Sequence, residues 1–411
     1  MIKGLPKITF LFLLSGILSC GNNNKRINDQ SQIIKQEEEQ PENTEIMTGA
    51  NNTQAYLPLI KDKKIGLVGN QTSIIKTEKG DYIHLVDSLL KYNIQIEKVF
   101  APEHGFRGTA DAGEVVKDGI DTKTGLPVIS LYGENKKPSA EVLKDLDMLV
   151  FDIQDVGARF YTYISTLHYI MEACAENNIP LLVLDRPNPN GSYIDGPILE
   201  KEYKSFVGMH PVPVVHGMTI GEYAKMINGE KWLKDGVQCE LKVIEIESYD
   251  HSKTYSLPVK PSPNLPNDKS INLYPSLCFF EGTNVNAGRG TNKQFQVFGS
   301  PFLEKEYYSY HYTPEPMDGA QHPKHKGKEC HGKDLSEVAE LNSLNLEWLI
   351  EAYNHTSSKE DFFNSFFTKL AGTEKLQQQI EEGLSANEIK ASWQDGLKEY
   401  GEVRKKYLLY D

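Results

Sequence analysis

Cysteine, tryptophan and positive charge are all scarce in this chain of 411 residues, which holds 5 cysteines, 3 tryptophans, and 44 lysines and arginines against 57 acidic residues. A formal charge of −13 and an isoelectric point near 5.4 repel polyanions. No local basic cluster offsets that field, so nucleic acid is excluded as a partner. Cys174, Cys239, Cys278 and Cys330 show no C-x-x-C spacing. They are expected to be buried small hydrophobes, with pairing open to them only in an oxidising compartment. Long apolar runs are missing too. Mean hydropathy is −0.47, and only the amino-terminal run is able to enter a bilayer, which excludes a multi-span membrane protein.

That run follows Lys3 and Lys7 and occupies residues 8–18, ahead of Ser19 and Cys20. About eleven apolar residues are too few to span a bilayer, which takes roughly 20, but they fit the core of a secretory signal. Ile17-Leu18-Ser19-Cys20 resembles a bacterial lipobox, in which the cysteine becomes the lipidated first residue. Residues 1–20 are therefore expected to be a lipoprotein signal peptide. Residues 21–55 are Asn-, Gln- and Glu-rich without a sustained apolar period. They cannot bury enough surface to offset their ordering entropy and read as a disordered tether. The absence of an acidic run after Cys20 favours the periplasmic face of the outer membrane within the cell envelope.

From residue 56 onward, short apolar runs alternate with helical patterns. Strands are expected over 65–68, 96–100, 127–132, 148–152 and 180–185, and helices over 84–91, 139–146 and 163–177. Near-continuous apolar strands separated by helices predict an α/β fold with a doubly wound, mostly parallel sheet covered on both faces. No internal repeat is present. After Gly299 the alternation fades, and amphipathic helices are expected over 344–353, 359–370 and 386–399. The reading is thus a sheet domain over 56–300 and a smaller domain over 301–411.

Polar residues cluster where these strands end. Glu103 and His104, Asp152 and Asp155, and Asp185 and Arg186 lie at or just beyond strand carboxyl ends, where ligands bind in doubly wound sheets. The first strand lacks G-x-G-x-x-G, so a dinucleotide cofactor is unsupported and a dehydrogenase is disfavoured. The blocks Ala101-Pro102-Glu103-His104-Gly105-Phe106-Arg107-Gly108 with Asp111-Ala112-Gly113, and Phe151-Asp152-Ile153-Gln154-Asp155-Val156-Gly157-Ala158-Arg159-Phe160-Tyr161-Thr162-Tyr163, resemble the exo-β-N-acetylmuramidases of the NamZ type. Asp185-Arg186-Pro187-Asn188-Pro189-Asn190-Gly191, His216-Gly217-Met218-Thr219-Ile220-Gly221-Glu222, Pro261-Ser262-Pro263-Asn264, Phe280-Glu281-Gly282-Thr283-Asn284, Gly288-Arg289-Gly290-Thr291 and the closing Arg404-Lys405-Lys406-Tyr407-Leu408-Leu409-Tyr410 continue the match. The resemblance implies a Rossmann-like catalytic domain, a smaller carboxyl-terminal α+β domain, and release of N-acetylmuramic acid from the non-reducing ends of peptidoglycan fragments.

Glycoside cleavage usually needs a carboxylic acid to protonate the leaving oxygen and a second group at the anomeric carbon. Glu103 is the candidate acid, because a partly desolvated turn after a buried strand suits a carboxyl that must deliver a proton. Alternatively it caps the next segment or pairs with Arg107. His104 is expected near the site, as a proton partner or a hydrogen-bond donor. Asp152 and Asp155 are candidates for the second carboxylate, or else cap strand ends or pair with Arg159. Arginine suits the lactyl carboxylate of muramic acid, since its planar fork holds a carboxylate with two bonds. Arg107, Arg159, Arg186 and Arg289 are the candidates, at least two of them expected to be structural partners of strand-end aspartates. Tyr161 and Tyr163 either stack on a sugar face or belong to the core. His216 either contacts substrate or anchors its loop ahead of a helix that Thr219 and Glu222 are placed to cap. Asn188 and Asn190 face the same crevice but are equally turn formers.

Residues 311–332 contain His322, His325, Cys330 and His331, yet their spacing fits no compact zinc pattern and Lys324, Lys326 and Lys328 oppose a cation. The stretch reads as a solvated loop, and neither metal nor nucleotide cofactor is expected. The leading reading is an exo-acting glycosidase on peptidoglycan-derived sugars, tethered to a membrane by lipid; the alternative is a lipoprotein that binds such sugars without cleaving them. If Cys20 carries the lipid, Cys20→Ala shifts the protein from the membrane fraction to a soluble or unprocessed form. Membrane fractionation with a processed amino terminus in that variant is the result that rejects lipid anchoring.

Overall fold

A computed structural model describes residues 45–107, 118–133 and 135–411. The expected signal peptide, Cys20 and the tether through residue 44 lie outside the described residues, as do Gly108 and Asp111-Ala112-Gly113. Seven strands among the described residues build the main sheet: β1 (Ile65–Gly69), β2 (Ile96–Ala101), β3 (Gly119–Ile120), β4 (Pro127–Ser130), β5 (Met148–Asp152), β6 (Leu181–Leu184) and β7 (Leu241–Ile244). Their order across the sheet is β3-β4-β2-β1-β5-β6-β7. All run parallel except β3, an antiparallel edge on β4. The chain winds outward from β1 in both directions, so a crevice opens where β1 and β5 end side by side.

Successive strand residues point to opposite faces, and here both faces are apolar. Leu67, Val99, Val150 and Leu182 pack under α1 (Thr53–Ile60) and α2 (Leu85–Lys91). Val68, Phe100, Phe151 and Val183 face the other way. That second face is covered by α4 (Tyr163–Asn177) and α5 (Ile220–Gly229), while the short α3 (Ala140–Leu143) precedes β5. Burial on both sides is why the strands read as unbroken apolar runs. The capping box expected from Thr219 and Glu222 opens α5.

The carboxyl-terminal part begins with α6 (Asp268–Leu277) and holds an antiparallel sheet of β8 (Val297–Ser300), β9 (Tyr310–Tyr312) and β10 (Cys330–Asp334), with β10 central. Five short helices follow: α7 (Glu347–Asn354), α8 (Phe367–Ala371), α9 (Lys375–Glu381), α10 (Ala386–Ser392) and α11 (Gln394–Arg404). Phe279, Phe298, Phe362 and Phe367 belong to the same apolar cluster as the α4–α5 face. One continuous core therefore joins the smaller part to the main sheet.

Several expectations need correction. Ordered packing starts before Tyr56: Met47 donates its amide to Glu247 O at 3.1 Å and Gly49 to Asp185 O at 2.8 Å. Backbone pairing holds this polar stretch, which hydropathy does not register. The helix expected over 359–370 is confined to α8. Phe362 O is taken by Asn284 N at 2.8 Å, and the Asn364 side chain accepts Phe366 N at 2.9 Å, so the backbone is committed elsewhere. The helix over 386–399 breaks at the buried Trp393 into α10 and α11. Residues 311–332 are not simply a solvated loop. Cys330 is fully buried in β10, and the Lys324 ammonium donates to the carbonyls of Phe280, Thr283 and Val285.

Arg159 is also corrected, from substrate ligand to internal staple. It is fully buried. Its Nη1 donates to Pro197 O (2.8 Å) and Val212 O (2.7 Å), and its Nη2 to Leu370 O (2.9 Å) and Ala371 O (2.7 Å). Burial pushes its pKa down to about 9, so the cation persists at neutral pH on carbonyl dipoles alone. Replacing it by Met strands buried acceptors at about 1–3 kcal/mol each before relaxation. Arg159→Met is therefore expected to cost about 3–5 kcal/mol of unfolding free energy in urea melts, and Arg159→Lys less. Unchanged stability with a raised KM would return Arg159 to the substrate.

Candidate active site

The carboxyl edge of the sheet divides into a buried, self-satisfied part and an open cavity. Asp152 ends β5 with no exposure. Its two oxygens accept Arg186 Nε at 2.6 Å and Arg186 Nη2 at 2.9 Å. This fork occupies both residues, so neither the catalytic expectation for Asp152 nor the substrate expectation for Arg186 holds. Asp185 accepts from Arg186 N, Gly221 N, the Thr219 hydroxyl and the Tyr410 hydroxyl. Desolvation, then the nearby Glu222 charge, pushes its carboxyl up to about 7. Gly221 is required here, since a Cβ would stand 2.6 Å from Asp185 Cγ. Glu222 in turn accepts His251 Nε2 at 3.0 Å and Leu409 N at 2.9 Å, tying the closing block of the chain to α5.

The other residues expected at the site but placed outside the cavity make structural contacts, although Asp155 Oδ1, Asn190 Oδ1 and His216 Nε2 are buried without a hydrogen-bond partner among the described residues. Asp155 is buried, accepts Gly157 N at 2.7 Å and lies 3.5 Å from His216 Nε2. His216 is fully buried, and its backbone carbonyl accepts the Tyr400 hydroxyl at 2.7 Å. Asn188 donates to Met218 O, and Asn190 to Val156 O and Ile271 O, so both shape the turn. Arg107 forks onto Asp121 at 2.7 and 3.2 Å. Burial raises the Asp121 carboxyl, but the Arg107 bonds outweigh it and bring the pKa down to about 2. None of these residues lines the cavity.

The cavity encloses about 880 Å³ and is lined by Glu103, His104, Tyr161, Tyr163 and Arg289 among the residues expected from sequence. Glu103 projects from the turn after β2, where His104 (φ 70°) and Gly105 (φ 77°) are both left-handed. Thr162 donates its hydroxyl to Glu103 Oε2 at 2.8 Å. It heads the 15-residue α4 yet makes no capping bond, because that hydroxyl is turned to Glu103, which sets the carboxyl beside the positive end of the helix. The Tyr132 hydroxyl bonds to the same carboxyl; burial and the Glu103 charge both raise its pKa, so the phenol stays protonated. His104 Nε2 stands 3.3 Å from Ser262 Oγ. The Ser262 loop is fixed by Tyr161, whose hydroxyl donates to Pro261 O at 2.8 Å.

Edge-on rings form one wall, from Tyr163 to Tyr161 (4.8 Å), Tyr274 (5.9 Å) and then Phe295 (4.9 Å). Arg289 lies 5.3 Å from the Phe295 ring centre and gives Nε to Glu281 Oε1 at 2.8 Å. Desolvation pushes the Glu281 carboxyl up, but the charges of Arg289 and Lys324 outweigh it and hold its pKa below the ordinary value. The terminal nitrogens of Arg289 have no hydrogen-bond partner among the described residues, and its side chain is 25% exposed. Tyr132, Thr162 and Glu281 were not singled out from sequence. The strand-end rule reaches Tyr132, just past β4, and the other two sit inside matched blocks. Among the described residues no group of three or more His, Cys, Asp or Glu is placed to hold a metal ion.

The amino-terminal model of the exo-β-N-acetylmuramidase NamZ matches residues 65–269, and its carboxyl-terminal model residues 272–410. The two meet ahead of α8-bearing sequence, near the start of α6, whereas the alternation of strand and helix fades only near 300. The peptidoglycan β-N-acetylmuramidase NamZ of Bacillus subtilis (strain 168) is 42% identical over 375 residues, 86% of this chain and 89% of that protein. A crystal structure of a DUF1343 family protein from Bacteroides fragilis NCTC 9343 superposes with a TM-score of 0.82 at 46% identity, over 89% of this chain and 99% of that one. A second DUF1343 family protein from the same organism gives 0.74 at 28% identity, with the same coverage of both chains. Matched through both domain models and along most of a relative's length, this chain belongs to the exo-β-N-acetylmuramidase NamZ family.

Proposed function

We propose that this protein is an exo-acting glycoside hydrolase that releases N-acetylmuramic acid from the non-reducing ends of peptidoglycan fragments. The observation that carries the reading is the half-buried Glu103, held by Thr162 and Tyr132 at the edge of a cavity walled by aromatic rings and one arginine with open donors. A cavity of about 880 Å³ falls in the range of pockets that enclose a small ligand. Glu103 delivers a proton to the glycosidic oxygen as the bond to the anomeric carbon breaks. Thr162 and Tyr132 fix the carboxyl's direction and stabilise the charge left after transfer. Tyr161, Tyr163 and Tyr274 offer apolar ring edges and faces to the sugar. Arg289 presents its free terminal nitrogens to the lactyl carboxylate. Lipid on Cys20 would hold this chemistry at the periplasmic face of the outer membrane, where such fragments arise.

Two measurements test the roles. Gln is nearly isosteric with Glu but has no acidic proton, so Glu103→Gln is expected to lower kcat on a muramic acid–glucosamine disaccharide by about 10² to 10⁴ with a small change in KM. A nitrophenyl glycoside, whose leaving group needs little protonation, loses less. Near-wild-type turnover of the disaccharide, with the fold confirmed by thermal melting, removes Glu103 as the acid; a protein that only bound sugars would show no such dependence.

Losing the contact between Arg289 and the lactyl group costs about 1.5–3 kcal/mol, or about 10- to 150-fold. Wild-type enzyme should therefore prefer an aryl muramide over the matching glucosaminide by that factor, and Arg289→Met should erase the preference. Equal rates on the two sugars with wild-type enzyme contradict carboxylate reading by Arg289.

A further inference from the structure

Hydrolysis of a glycoside by protein groups usually employs a second carboxylate across the scissile bond from the acid. The two aspartates suggested by sequence do not line the cavity: Asp152 is locked to Arg186, and Asp155 is buried and accepts Gly157 N. Among the described residues that line the cavity, the carboxylic ones are Glu103 and Glu281. We propose that Glu281 is the catalytic base: it takes a proton from the water that attacks the anomeric carbon while Glu103 protonates the leaving oxygen. This rests on the reading of Glu103 as the acid.

The surroundings of Glu281 suit that task. A base must enter the reaction ionised, and the Arg289 guanidinium at 2.8 Å favours the charged form. That bond uses Oε1 only. Oε2 has no hydrogen-bond partner among the described residues, and the side chain is 26% exposed, so water has access. The turn that bears it, Cys278–Gly282, is rigidly seated, since a Cβ on Gly282 would stand 2.4 Å from Phe367 Cα.

The step balances without a cofactor. The water O–H bond breaks and its proton passes to Glu281. The water oxygen bonds to the anomeric carbon, the bond to the leaving oxygen breaks with its electron pair on that oxygen, and Glu103 supplies the proton it needs. The configuration inverts once. Exchange of protons with solvent then restores Glu103 as acid and Glu281 as base.

The test compares wild type, Glu281→Gln, Glu281→Ala and Arg289→Met on nitrophenyl β-N-acetylmuramide and the corresponding glucosaminide, with melting temperatures as the folding control. Glu281→Gln is expected to lower kcat about 10²- to 10⁴-fold on both sugars, leaving their rate ratio unchanged, whereas Arg289→Met collapses the ratio. Azide should restore turnover to Glu281→Ala, with the α-glycosyl azide as product, and NMR of the wild-type reaction should show the α-anomer first. If Glu281→Gln instead collapses the ratio without slowing the glucosaminide, Glu281 serves only to hold Arg289 and the proposal falls. First release of the β-anomer overturns the water-activation step. A wild-type protein that hydrolyses neither sugar overturns the functional reading and this assignment with it; active wild type with an active Glu281→Gln overturns this assignment alone.

Discussion

Asp152 and Arg186 meet at the carboxyl ends of β5 and β6, where neither is reached by solvent, and either one buried alone would cost several kcal/mol. The fork between them neutralises that edge. Its neighbours follow from the same requirement. Asp185, with four donors gathered around it, brings Thr219, Gly221 and Tyr410 together. Glu222, also fully buried, then needs His251 and the amide of Leu409. In this way pairing at the centre of the sheet reaches the start of α5 and the last residues of the chain. The matched block from Arg404 to Tyr410, far from the cavity in sequence and in role, is an anchor for this network.

The carboxyl edge thereby separates charges matched by an opposite charge or a full set of donors from those that line the cavity. Asp152, Arg186, Asp121 and Arg107 each have an opposite charge at bonding distance, and Asp185 has donors on both oxygens. At the cavity the arrangement differs. Glu103 is held by hydroxyl groups, which are able to donate or to accept as its proton comes and goes. Arg289 has one nitrogen engaged and the rest free.

Much of the fold was legible in one dimension. The bounds of β5 and α4 agree with the reading, because one is an unbroken apolar run of strand length and the other keeps a helical apolar spacing over four turns. The site was harder. Strand ends drew attention to Glu103 and His104, which line the cavity, but the same rule gathered Asp152, Asp155 and Arg186, which do not, since a structural ion pair and a cavity residue look alike until the partner's position is known. Arg159 shows the limit most clearly. Its four acceptors are main-chain carbonyls from three distant segments, and a carbonyl acceptor leaves no mark on residue type. Glu281 was passed over for the opposite reason: its block was recognised, but it stands in the part of the chain where the strand-end rule has no strand to follow.

The cavity draws on both parts of the chain. Glu103, Thr162 and Tyr132 come from the main sheet and its connections, whereas Glu281 and Arg289 come from the segment between α6 and β8. Groups that act on one bond must keep their separation to within a fraction of an ångström, which two loosely hinged domains would not provide. The continuous apolar cluster from Phe151 and Leu167 to Phe279 and Phe298 supplies that constraint. Arg159 adds a polar one, reaching from the loop before α4 to the carbonyls of α8, against which the turn bearing Glu281 is packed through Gly282 and Phe367. Arg159, one of four arginines expected at the substrate, thus braces the two walls of the cavity against each other.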